Sequence, residues 1–175
     1  MVATWGRIAI AAYTSETLAT RGLLEERLRR IKRSSLMTVE TFRTITLIQE
    51  GSLWLAVARE SSGSQSRQQS LARAAHCARQ LERSSARWAA GEALLIRGSI
   101  EASTGNYQRA CLIWEEAERE LRLHERLLQA AAVQFWRARL TKDAKSEGVA
   151  VEAFRTQGVL CPERWAFTFV PVALG

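Results

Sequence analysis

Residues 94–117 read LLIRGSIEASTGNYQRACLIWEEA, and this stretch decides the fold. Six of its small and aromatic residues have spacings that suit two antiparallel helices: Gly98, Gly105, Tyr107, Ala110, Trp114 and Ala117. Gly98 would allow a second helix to approach closely, and Gly105 stands where a left-handed residue ends a helix. The last four of the six then fall on one stripe of the second helix. The stretch therefore predicts a helical hairpin.

This pattern is similar to that of the tetratricopeptide repeat, in which an aromatic side chain fills the space between two antiparallel helices. The resemblance implies a scaffold of stacked hairpins, and it implies no chemistry. A single hairpin has too little apolar surface to close a core of its own. We therefore expect further hairpins on both sides of residues 94–117.

The composition also favours an all-α protein. The length of 175 residues favours one domain, here spanning 1–175, with room for a sizeable core. A hydrophobic content of 47% and a charged content of 25% are ordinary for a globular chain. Only two prolines occur, and both follow residue 160, so little interrupts helices before that point.

Hydrophobic periodicity predicts eight helices in four antiparallel pairs that stack in chain order. The pairs are 3–13 with 15–33, 38–60 with 67–83, 86–104 with 106–122, and 126–141 with 146–156, so that the hairpins span 3–33, 38–83, 86–122 and 126–156. The remaining residues, 159–175, are expected to form a cap or tail. Pro162 suits the start of a short helix, whereas Trp165, Phe167 and Phe169 alternate as in a strand.

The first predicted helix, 3–13, is apolar on every side of its axis. A helix of that kind is normally buried all round, but the next two helices can cover only part of it. We therefore expect Trp5 and Ile8 to contact a partner, through self-association or through preceding domains, or to leave an exposed apolar patch. This expectation suggests that the chain is a fragment of a longer protein or depends on a partner.

The chain carries a net charge of +7, and residues 27–33 are a basic run. This run could bind phosphate groups, which makes nucleic-acid binding the alternative function. It could equally be a solvated surface whose cations meet the negative end of a helix dipole. Leu28 and Ile31 continue the apolar stripe through the run and favour this second interpretation.

No chemistry-bearing constellation is apparent, so we predict no enzymatic activity, no cofactor and no metal. The three cysteines, Cys77, Cys111 and Cys161, are widely spaced and match no zinc or redox motif. Neither a phosphate-binding loop nor a kinase catalytic stretch is present. The cysteine pattern predicts a reduced, cytoplasmic chain, and no apolar stretch is long enough to span a membrane.

Four segments carry a resemblance over nearly the whole chain. They are AAYT (11–14) with LEERL (24–28) and SLMTV (35–39), AAHCARQLERSSARW (74–88), 97–117, and TQGVLCPERW (156–165). Together they resemble the C-terminal helical region of large bacterial signalling proteins, in which a serine/threonine kinase and sometimes a nucleoside-triphosphatase precede degenerate tetratricopeptide-like repeats. The kinase and triphosphatase sequences are absent here. The resemblance therefore implies only the fold and an adaptor or sensor role.

The leading functional prediction is a protein-interaction scaffold. Stacked hairpins curve into a superhelix whose concave face holds a peptide or a partner domain. Recognition would use side chains on the first helix of each pair that do not face the core. Arg97, Glu101, Arg137 and Arg139 are the predicted partner-binding residues.

Overall fold

The computed structural model describes residues 2–172, which contain no β-strand. The helices are α1 Val2–Thr14, α2 Thr17–Lys32, α3 Glu40–Glu60, α4 Ser64–Glu82, α5 Ala89–Ser103, α6 Tyr107–Leu123, α7 Leu127–Thr141, α8 Ala144–Thr156 and α9 Pro162–Phe169, with a 3-10 turn at Ser35–Thr38. The all-α fold of stacked hairpins predicted from the sequence is confirmed.

The described residues hold nine helices and not eight, because the tail forms α9. Pro162 is its first residue, where the missing N–H costs nothing. The alternation that resembled a strand has a helical explanation. Trp165 and Phe169 are one turn apart with ring centroids 5.9 Å from each other, while Phe167 contacts Trp136 of α7.

The largest differences from the predicted helix starts are at α4 and α5, and each is of three residues. Gly63 adopts an extended conformation and accepts the first hydrogen bond of α4 from Arg67, so α4 starts at Ser64, before the predicted residue 67. In α5, the start shifts to Ala89 because Ala86 and Ala89 close a separate turn. Both differences lie at the N-terminal ends of helices, where local polar contacts compete with the hydrophobic periodicity in deciding the first residue.

Helices that follow each other in the chain pack against each other from α1 to α9. Odd-numbered helices also contact one another, as α1 with α3, α3 with α5, and α7 with α9. In addition α9 packs against α1, so the first and last helices are neighbours. The stack therefore brings the two ends of the described chain together.

The core consists of two clusters that share α5. Leu95 belongs to the C-terminal cluster and the adjacent Ile96 to the N-terminal one. Both side chains are buried, and they leave α5 about 100° apart. The two clusters are thus linked through α5, which contributes buried side chains to both.

The hairpin of residues 94–117 packs through Gly98 and Trp114. Trp114 is fully buried, and its Nε1–H donates to the Leu95 carbonyl oxygen at 3.4 Å. A Cβ atom at Gly98 would lie 2.3 Å from Trp114 Cδ1, so no other residue fits there without movement of the indole. Ala110 and Ala117 are fully buried beside it.

Two other members of the motif sit at the ends of the turn. Gly105 has a φ of +85°, the left-handed conformation that ends α5. Tyr107 was predicted to pack between the helices, and that prediction is wrong. It is the first residue of α6 and is 38% exposed, so the buried stripe of this helix begins at Ala110.

Candidate functional site

The four predicted partner-binding residues lie in three separate places. Arg97 and Glu101 line a groove between α4, α5 and α6, here called the α5 groove. Arg97 pairs with Glu82 at 2.9 Å, and Glu101 pairs with Arg109 at 3.3 Å. These two residues are therefore already engaged in surface ion pairs between neighbouring helices.

Arg137 lies in a second groove, formed by α6, α7 and the start of α8. This α7 groove encloses about 620 Å³ and is lined by Tyr107, Gln108, Cys111, Leu112, Glu115, Arg137, Ala138, Leu140, Thr141, Asp143 and Ser146. Arg137 pairs through Nη2 with Glu118 at 3.3 Å. Its positive charge is thus partly neutralised within the fold.

The α7 groove exposes apolar side chains beside charged ones. Leu112 is 70% exposed, although it lies on a helix whose opposite side holds the buried Trp114. Glu115 stands on the same wall and forms no ion pair within residues 2–172. Asp143 caps α8 by accepting hydrogen bonds from Ser146, and these bonds hold its pKa below the usual value. The α7 groove therefore combines exposed apolar surface with two acidic side chains.

Arg139 lies in a cavity between α1, α3, α7 and α9, here called the end cavity. It encloses about 760 Å³ and is lined by Ala12, Tyr13, Thr14, Ser15, Arg59, Trp136, Arg139, Glu163, Arg164, Phe167 and Val172. Arg139 donates to Glu147 at 2.9 Å and to Glu163 at 2.6 Å. Burial opposes the charge on Arg139, but the bonds to these two carboxylates outweigh it and raise the pKa of the guanidinium.

Two more arginines face the end cavity, and sequence reasoning missed both. Arg59 Nη2 donates to Ser15 Oγ at 3.0 Å, and its guanidinium lies 4.8 Å from the centre of the Phe167 ring. Arg164 lies 5.6 Å from the Tyr13 ring centre. No pattern links these residues along the chain, since only the contact of α9 with α1 brings them together.

Trp136 forms part of the wall of the end cavity. It is 2% exposed, and its ring centroid lies 4.5 Å from that of Phe167. Its Nε1–H has no hydrogen-bond acceptor in the part of the chain that the structure describes. A buried indole N–H normally finds a partner, so this donor is an exception that the described residues do not satisfy.

The apolar helix α1 is covered mostly by its own fold, which corrects one prediction. Ile8 is 1% exposed and belongs to the N-terminal core, because α3 and α9 pack against α1 together with α2. It is therefore not available to a partner. Trp5 is half-buried with its ring centroid 6.4 Å from that of Phe42.

A small apolar groove nevertheless remains between α1 and α9. It encloses about 240 Å³ and is lined by Ala9, Ile10, Tyr13, Trp165 and Thr168. Ile10 is 62% exposed and Trp165 is 37% exposed. The exposed side of α1 is thus narrower than its composition suggests, and it is centred on Ile10.

The basic run 27–33 ends α2. Leu28 and Ile31 are buried, while Lys32 pairs with Glu50 at 2.5 Å. Arg29 and Arg30 are exposed. The run thus combines a core-facing stripe with a small basic surface near the carbonyl end of the helix.

Within residues 2–172, no group of three His, Cys, Asp or Glu side chains could hold a metal ion. The described helices also include none that is long and apolar enough to cross a bilayer. Burial raises the pKa of the Cys77 thiol to about 12, and the neighbouring Glu50 adds to this shift. Cys77 is therefore an inert core residue at neutral pH.

The chain matches no protein-family model, no curated protein and no solved structure. The resemblance to the helical region of bacterial signalling proteins stays a prediction from the sequence.

Proposed function

We propose that the protein is an interaction scaffold that binds a segment of a partner protein in the α7 groove. The observation that carries this proposal is the exposed side chain of Leu112 in a groove that also contains the acidic residues Glu115 and Asp143. An apolar patch with a polar rim is typical of protein docking surfaces. A stack of helical hairpins supplies such grooves without large movements of its backbone.

The charges of the α7 groove define the partner segment. Arg137 is paired with Glu118, so Glu115 and Asp143 dominate the rim. A segment that complements this groove has a bulky apolar side chain flanked by lysine or arginine. The same acidic rim would repel a phosphate backbone, so this groove favours a protein over a nucleic acid.

The resemblance to tetratricopeptide-like regions of bacterial signalling proteins supports the same role. In such a context, the chain would act as a cytoplasmic adaptor or sensor module, joined to or derived from a larger signalling protein. The predicted residues Arg97 and Glu101 then serve the fold through their ion pairs, while Arg137 contributes to the groove wall.

A photo-cross-linking residue at Gln108, which lines the α7 groove, tests the proposal in the source cell. The control places the same cross-linker at Val149, which is 53% exposed on α8 and outside this groove. We expect a protein adduct from position 108 that disappears when Leu112→Ser is added. Identical adducts from both positions, or an adduct that survives Leu112→Ser, would contradict the proposal.

The nucleic-acid alternative is tested with the purified protein. An affinity for RNA or DNA that falls steeply as the salt concentration rises would favour it, because phosphate binding releases counterions. Arg29→Gln with Arg30→Gln would then abolish binding, whereas Leu112→Ser would leave it unchanged. That result would replace the scaffold proposal.

A further inference from the structure

The end cavity lies where the two ends of the described chain meet. Its walls come from α1, α3, α7 and α9, which are distant in sequence. Its volume of about 760 Å³ falls within the range of sites that bind small molecules. It shares no lining residue with the α7 groove, so it is independent of the proposed docking surface.

The charges around the end cavity favour an anion. Three arginines line it, Arg59, Arg139 and Arg164, together with the carboxylate of Glu163. Arg59 also pairs with Glu60 at 3.4 Å and Arg139 with Glu147 at 2.9 Å, so two of the three cations are already compensated within the fold. Glu163 is engaged by Arg139 at 2.6 Å. Arg164 has no carboxylate within ion-pair distance among residues 2–172, and its guanidinium is exposed to solvent. A bound carboxylate would therefore gain charge-assisted hydrogen bonds that the fold does not already use.

The remaining walls favour a planar apolar body next to that anion. Tyr13, Trp136 and Phe167 present aromatic rings to the cavity. Arg59 and Arg164 each lie over one of these rings, which fixes the guanidinium groups beside the aromatic surface. The Nε1–H of Trp136 is buried without an acceptor in the described chain.

We propose that the end cavity binds a small organic anion in which a carboxylate is attached to an aromatic ring. The carboxylate accepts hydrogen bonds from Arg164, and the ring packs against Trp136 and Phe167. Because the ligand contacts both α7 and α9, it holds the last helix against the hairpin that precedes it. Binding therefore raises the melting temperature of the protein, since it stabilises only the folded state.

Three probes separate the two parts of this proposal in the unmodified full chain. Naphthalene-2-carboxylate has the ring and the charge, naphthalene-2-carboxamide has the ring alone, and acetate has the charge alone. Binding is followed through the indole N–H signals of the six tryptophans in a nitrogen-15 spectrum, with Trp136→Phe used to assign one of them. We expect saturable shifts of the Trp136 signal with the carboxylate, and affinities at least about tenfold weaker for the other two probes.

Arg164→Gln provides the matched variant, because Arg164 forms no ion pair within residues 2–172 that would hold the fold. Arg155→Gln is the control, as Arg155 is exposed on α8 outside the cavity. Arg164→Gln should lower the affinity for naphthalene-2-carboxylate at least about tenfold, and Arg155→Gln should leave that affinity unchanged. Equal binding of carboxylate and carboxamide, an unshifted Trp136 signal, or equal losses in both variants would overturn the proposal.

Discussion

The carboxylate of Glu92 on α5 accepts a 2.7 Å hydrogen bond from Nη2 of Arg126, the residue that precedes α7. Glu92 is only 3% exposed, and the Arg126 guanidinium lies 5.3 Å from the centre of the Trp88 ring. Burial raises the pKa of Glu92, while the charge of Arg126 opposes that shift. This pair ties the central helix of the stack to the hairpin that follows.

Arg126→Met should destabilise the protein by about 2–3 kcal/mol, because it leaves a buried carboxylate without its partner. The value lies below that for a fully buried pair, since the Arg126 side chain is 34% exposed. Urea unfolding near neutral pH measures the change. The double variant Glu92→Met with Arg126→Met should recover most of the lost stability. A loss in the double variant equal to the sum of the losses in the two single variants would contradict this account.

The loss of stability caused by Arg126→Met should become smaller as the pH is lowered. A carboxyl group whose pKa is raised in the folded state binds its proton more tightly there than in the unfolded state. It therefore adds stability at low pH, and that stability is lost as the pH rises through the folded-state pKa. Unfolding curves from about pH 7 to about pH 5 test the sign, with Glu92→Gln/Arg126→Met as the control that cannot titrate. A deficit that grows on acidification would refute the prediction.

Gly98→Ala should cost about 1–3 kcal/mol, because the added methyl group collides with the Trp114 indole. Gly63→Ala has nothing within 4 Å of the new Cβ atom and should change stability by no more than about 0.5 kcal/mol. Trp114→Ala alone should cost about 3–5 kcal/mol, as for large aromatic residues in cores. Adding Gly98→Ala to Trp114→Ala should then cost little more, and additive losses in thermal unfolding would argue against the contact.

The three cysteines should react with iodoacetamide in the order of their exposure. Cys161 is exposed, Cys111 is half-buried and Cys77 is buried. Burial also raises the pKa values of Cys77 and Cys111, which lowers their thiolate fractions. Mass spectrometry of the native protein at mildly alkaline pH should show Cys161 alkylated first and Cys77 only after unfolding. Early modification of Cys77 would mean that the N-terminal core opens.

Glu60→Ala should loosen the start of α2. The Glu60 carboxylate, at the end of α3, accepts hydrogen bonds from the backbone N–H groups of Thr17 at 3.2 Å and Leu18 at 2.6 Å. Losing a side-chain cap of this kind costs about 1 kcal/mol. Amide hydrogen exchange should accelerate at residues 17 and 18. Glu152→Ala, on the exposed side of α8, is the control and should leave these two amides unchanged.

The sequence by itself determined the central hairpin and the all-α fold. Gly98 and Trp114 could be assigned because their spacing is a property of one hairpin, in which a helix repeat of 3.6 residues fixes which side chains face the partner helix. The left-handed turn at Gly105 could also be predicted from the sequence, because only local backbone sterics decide it.

Only the tertiary structure decided what happens at the ends of the stack. The packing of successive helices brings α9 against α1. That contact places Arg59 and Arg164 around one cavity with Arg139, whereas Ile8 is buried among residues of α2 and α3. A pattern confined to one helix carries no record of which distant helix it will meet, so residues that are distant in sequence could be joined into a site only by the packing of the whole stack.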